Sequence, residues 1–96
     1  MNSIIKKDEK GRCFICGKEG ITERHHIFFG SNRKKSEKYG LTVYLCHNCH
    51  NEPPNGVHFN KAVNARLRAE AQQEAMLYFN WTTAEFIKEF GKNYIG

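Results

Sequence analysis

What the 96-residue chain lacks narrows it first. No apolar run approaches the roughly 20 residues needed to cross a bilayer, and the opening Met1-Asn-Ser-Ile-Ile-Lys-Lys carries no apolar h-region of a signal peptide. The expectation is a chain that neither spans a membrane nor is secreted, and is therefore cytoplasmic. Internal repeats and low-complexity tracts are absent, which excludes solenoids and extended disordered arms. Core-forming material is modest, with 40% hydrophobic residues and a mean hydropathy of -0.68. One small domain over 1–96 is expected, near the size where burial alone gives marginal stability, so a further tie such as a metal is called for. Acidic residues are also in short supply. Ten Asp+Glu against fifteen Lys+Arg leave +5 on a small body and favour a polyanionic partner.

All four cysteines lie in two Cys-x-x-Cys pairs, Cys13/Cys16 and Cys46/Cys49. Where disulfides are disfavoured, two such knuckles read as a four-thiolate structural zinc site that joins distant chain segments. The stretch between them, Gly17 to Leu45, is longer than the roughly 15–20 residues of the common double-knuckle spacing. Folded structure is therefore expected inside it. Ile21 to Phe29 reads as a strand leaving the first knuckle, and Leu41-Thr-Val-Tyr-Leu45 as a second strand running into Cys46. Between them, Gly30 to Gly40 has the composition of a long basic loop, so the strands would form a hairpin. Residues 1–12 read as a short frayed arm.

The two prolines stand together, Pro53-Pro54, and with Asn55-Gly56 they break any regular helix before Phe59. Beyond lies a helical extension over 60–96. Lys61 to Phe79 carries strong helix formers, with Asn60 as cap and Val63, Leu67, Ala71, Ala75 and Phe79 as one apolar stripe, best read as core packing. Thr82 and Glu85 form a capping-box signature, Phe86 and Phe90 stack at i,i+4, and Gly91 closes a short last helix.

Chemistry concentrates in the five histidines. His25, His26, His47, His50 and His58 all lie in or beside the two-knuckle segment. A lone histidine usually does nothing special, but several on a zinc scaffold suggest a second site. Cys49 and His50 are adjacent and can face different ways, one to each site. His47, between knuckle cysteines, is expected to face solvent, and Glu52 to be an exposed charge. Phosphate attraction is expected from Arg24, Arg33, Lys34 and Lys35.

Taken together, the Cys-x-x-Cys, Arg-His-His-Ile, Tyr-Leu-Cys-His-Asn-Cys-His and Val-His segments between Cys13 and His58 resemble HNH nucleases of the ββα-metal type, especially small phage-associated forms with a four-cysteine zinc. The resemblance implies an α+β, treble-clef-like hairpin and helix with a divalent metal at their junction. It implies His26 as general base, and His25 and His50 as ligands of a catalytic metal. The position one turn after His50, where a third ligand often lies in that family, is Pro54, so His58 takes that assignment. The family asparagine also has no counterpart at Gly40, Leu41 or Thr42. Three imidazoles suit zinc, nickel, cobalt or manganese better than magnesium. The function implied is hydrolysis of phosphodiester bonds in DNA, in a bacterial or phage-infected cell, with a homodimer or a phage or host protein complex as further partners. The alternatives are a zinc-knuckle module that binds nucleic acid without cutting it, and a zinc adaptor whose long helix pairs with a protein.

Overall fold

The structure is a computed structural model and describes residues 2–96. It is a small mixed α/β arrangement in which helices pack around a two-stranded antiparallel sheet. Strand β1 is Glu23–His26 and β2 is Thr42–Leu45, paired from Glu23 opposite Leu45 to His26 opposite Thr42 without interruption. The expected strands are thus present but shorter, with Ile21 left almost fully exposed at 94%.

The connection between them is not the expected loop. A short 3-10 turn, Gly30–Asn32, leads into helix α1, Arg33–Tyr39, closed by Gly40 at φ 69°. The basic run Arg33-Lys34-Lys35 lies on this helix because tertiary contacts override its composition. Buried Ser36 donates its hydroxyl to the Phe28 carbonyl at 2.6 Å and accepts from the Phe28 N–H at 3.0 Å. Tyr39 donates to the Glu89 carboxylate and its ring packs on Phe79 and Trp81.

The frayed arm is also corrected. Residues 2–12 dock along β2: Ser3 donates to the Thr42 carbonyl, the Ile4 N–H to the Gly40 carbonyl, and the Tyr44 N–H to the Asp8 carboxylate. Ile5 is buried in the core. Gly40 is required at this crossing, since a Cβ there would lie 2.4 Å from the Asn2 carbonyl oxygen.

Helix α2 is short, His47–Asn51, with Cys46 at its N-cap. The chain then doubles back over it. Val57 N–H donates to the Cys49 carbonyl and Gly56 N–H to the Glu52 carbonyl, and a Cβ at Gly56 would come within 3.0 Å of the His50 and Glu52 backbone. Helix α3, Lys61–Phe79, begins where Asn60 accepts from the Val63 N–H, as its cap predicts, and buries Leu67, Ala71 and Ala75 of the expected stripe. Helix α4, Thr83–Phe90, carries the full Thr82/Glu85 capping box and ends at Gly91. Phe86 and Phe90 stack at 4.8 Å and pack with Phe28, which joins the helical extension to the end of β1. No helix among the described residues is long and apolar enough to cross a membrane.

Candidate metal centres

The first cluster joins both knuckles. Cys13 and Cys16 sit on a turn tied back by the Gly17 N–H to the Cys13 carbonyl, and the Phe14 N–H donates to the Tyr44 carbonyl, setting the turn against the end of β2. Cys46 and Cys49 come from the start of α2. The four sulfurs lie within 4.8 Å of one another, all as free thiols. Cys16 and Cys46 sulfurs are 3.8 Å apart. A tetrahedron of bonds of about 2.3 Å has an edge of about 3.8 Å, so the spacing fits zinc–thiolate coordination. Burial opposes ionisation of Cys13, but backbone N–H groups of Cys16, Cys46 and Ile15 outweigh it and bring the thiol down to about 7. Cys49, more crowded by the other sulfurs, is pushed well up by burial. A cation among the four would remove that conflict. This group could hold a structural metal ion.

The second cluster is His25, His50 and His58, whose nearest ring nitrogens also lie within 4.8 Å of one another. Their ring centroids form a nearly equilateral triangle of 5.0, 5.2 and 4.9 Å. β1 supplies His25, α2 supplies His50, and the loop folded back at Gly56 supplies His58. His25 is only 2% exposed, and its Nε2 has no hydrogen-bond partner. An unpaired buried nitrogen costs about 1–3 kcal/mol, which a bound cation would offset. Burial first, then the neighbouring His50, His58, His26 and Arg68 charges, depress His25 to about 3. Burial and His50 depress His58 as well. Both imidazoles are therefore neutral at pH 7, the form that ligates metal.

Strand alternation sorts the surrounding residues. Glu23 and His25 project from one face of β1, Arg24 and His26 from the other. On the first face, Glu23 Oε1 accepts from His50 Nδ1 at 2.7 Å. Because a carboxylate only accepts, His50 carries its proton on Nδ1 and turns the Nε2 lone pair toward His58 Nε2, 3.2 Å away. The other Glu23 oxygen accepts from His47 Nδ1 at 3.0 Å, while Glu52 accepts from His47 Nε2 at 2.9 Å. His47 is exposed as expected, and these carboxylates, Glu23 first, raise its pKa. Glu52 is engaged by His47 and stands outside both clusters.

On the opposite face, His26 Nε2 donates to Glu37 Oε1 at 2.8 Å, and Arg24 grips both Glu37 oxygens at 2.7 and 3.1 Å. Hydrogen bonds from Arg24 and then His26 hold the Glu37 carboxyl down at about 2, so it is ionised and accepts from His26 Nε2. His26 is thus placed apart from the three-histidine group, because β1 runs in unbroken register with no bulge to bring adjacent side chains to one face. The expected phosphate-contacting residues are likewise divided. Arg24 binds Glu37, Lys35 donates to the Glu89 carbonyl at 2.5 Å on α4, and Arg33 and Lys34 are exposed at the start of α1.

Sequence reasoning missed Glu23 and Glu37. Glu23 was findable, since it lies two residues before His25 on the same strand face. Glu37 was hidden in a segment read as loop. No family model, curated protein or solved structure matches this chain.

Proposed function

We propose that the protein is a metal-dependent HNH-like endonuclease that hydrolyses phosphodiester bonds in DNA, built on a ββα-metal arrangement with a structural zinc. The observation that carries this reading is the buried, unpaired His25 Nε2 within a triangle of three imidazoles beside a second, carboxylate-held histidine on the same strand. His25, His50 and His58 would hold the divalent metal, which when bound supplies positive charge to stabilise the phosphate and leaving oxygen. Zinc, nickel, cobalt or manganese suit three neutral nitrogens, and magnesium suits them least. The ligands bring no negative charge, so the completed site favours an anionic substrate.

His26 serves as general base. Glu37 fixes its tautomer with Nδ1 as acceptor, as an acid does for histidine in hydrolytic triads. Water bonds to phosphorus and gives its proton to Nδ1, one P–O ester bond breaks, and the leaving oxygen takes a proton from solvent. The two faces of β1 meet at a strand that has a hydrogen-bonded partner along only one edge among the described residues. A phosphate crossing the other edge would be approached from both faces.

The test is nicking of supercoiled plasmid with manganese, nickel or zinc added after mild chelation. Cleavage by wild type is expected, with a loss on the order of 10²–10⁴ in His26→Ala and unchanged zinc content. Absence of cleavage with every metal, while DNA still binds, would replace this reading by the non-catalytic zinc-knuckle module.

A further inference from the structure

Arg68 is set apart from the other cations near the histidines. Arg24 is engaged by Glu37, and Lys35 by Glu89. Arg68 has no carboxylate within 4.0 Å among the described residues. Instead, its guanidinium lies 4.6 Å from the Phe29 ring centre, 5.6 Å from Tyr94 and 5.7 Å from Phe28. Its Nε donates to the Ile27 carbonyl at 3.2 Å, which fixes the plane of the fork.

The cage is held from behind. One turn along α3, buried Gln72 accepts from the Tyr94 N–H at 2.7 Å and donates to Asn93 at 2.8 Å, tying the backbone of this segment to α3. The Phe29 ring that carries Arg68 also packs on His58 at 4.8 Å and on His25 at 5.7 Å. A fixed, half-buried guanidinium thus stands one aromatic ring from the three imidazoles. Its two terminal NH₂ groups make no hydrogen bond to the described residues. A planar fork held this way loses little freedom on binding, and its geometry matches two phosphate oxygens.

We propose that Arg68 is the phosphate-binding guanidinium of the three-histidine site, taking two oxygens of a nucleic-acid backbone phosphate. The inference rests on reading that site as one for phosphodiesters. Placing Arg68 on α3 also gives the helical extension a part in the site.

Two measurements test it. In wild type, the Arg68 side-chain Nε–H resonance is followed by NMR during titration with inorganic phosphate, with exposed Arg66 as internal control. A saturable shift at Arg68 alone is expected, and equal or absent shifts would overturn the proposal. In the His26→Ala background, where no turnover intervenes, fluorescence anisotropy of a labelled short DNA duplex is recorded across a salt series. Arg68→Met should weaken binding on the order of 10- to 100-fold and reduce the salt slope by about 0.9, the value of one phosphate contact. Arg68→Lys should restore most of the slope. A purely structural Arg68 would lower the melting temperature of Arg68→Met without changing the slope, and that result overturns the proposal. Should Arg68→Met fail to fold, the wild-type resonance decides. The nuclease reading fails separately. Wild type that never nicks, with a responsive Arg68, keeps the phosphate site; nicking with a silent Arg68 and an unchanged slope removes it.

Discussion

Replacing Glu23 by alanine separates the orientation of a ligand from its identity. Glu23 touches no metal position itself, yet it holds the Nδ1 proton of His50 at 2.7 Å and so leaves Nε2 free to ligate. Without it, Asn51 Nδ2, 3.1 Å from the same nitrogen, is the nearest remaining polar group. An amide N–H there favours the opposite tautomer, with the proton on Nε2 where a metal would bind. Loss of such a supporting carboxylate typically lowers metal affinity about 10- to 100-fold. At about 1.4 kcal/mol per tenfold, the expected loss is about 1.4–2.8 kcal/mol of binding free energy. Folding should change little, because the Glu23 side chain is 37% exposed and exposed ion pairs contribute about 1 kcal/mol or less. The assay is a cobalt titration read by visible absorption, with native mass spectrometry reporting the cysteine-bound zinc in parallel. Glu23→Gln, which keeps an acceptor oxygen without the charge, should fall between wild type and Glu23→Ala. Cobalt affinity unchanged in Glu23→Ala would refute the tautomer argument.

Further outcomes follow from the same geometry. Cys46→Ser, or removal of zinc by a strong chelator, should unfold the strand pair and α2, observed as coincident loss of zinc and of far-UV circular dichroism; a Cys46→Ser protein of native stability would remove the four-thiolate site. Below about pH 6.5 an unfolded imidazole binds a proton, whereas buried His25 does so only near about 3, so the unfolded state holds more protons in that window and stability falls as pH drops. With the histidine site metal-free, the contribution is up to about 1.4 kcal/mol per pH unit, and denaturant titrations should give His25→Phe a shallower slope than wild type; equal slopes would contradict the depressed value. Phe86→Ala, at a fully buried ring packed on Phe28 and Phe90, should cost about 3–5 kcal/mol in chemical denaturation, and a loss below about 1 kcal/mol would show that the extension is not part of the same core.

The helical extension was legible because its signals are local. Asn60, the Lys61–Phe79 stripe and the Thr82/Glu85 box each act within a turn or two of chain. Helix α1 was not legible, because what favours it is distant: Ser36 bonds to Phe28, and Lys35 and Tyr39 reach Glu89. The docked first residues escaped for the same reason, their partners Gly40, Thr42 and Tyr44 lying far along the chain. Within the site, spacing and resemblance singled out the three histidines that the fold brings together, whereas the side of β1 that His26 takes was not legible, since it depends on the unbroken register that only the fold displays. The tautomer-setting carboxylates required the fold, since their partners come from α1 and α2.

Helix α2 places Cys49 and His50 on consecutive residues, one in each cluster. Five residues leave no slack between them, so an ion that fixes the pitch of this turn for one cluster fixes it for the other. Were both clusters to hold ions, their occupancies would then be energetically linked. Whatever factor zinc at the cysteines adds to affinity at the histidines, a cation at the histidines must return to zinc, because the coupling is reciprocal. If each cluster holds an ion and the shared turn couples them favourably, zinc dissociation should slow when the histidine cluster is loaded.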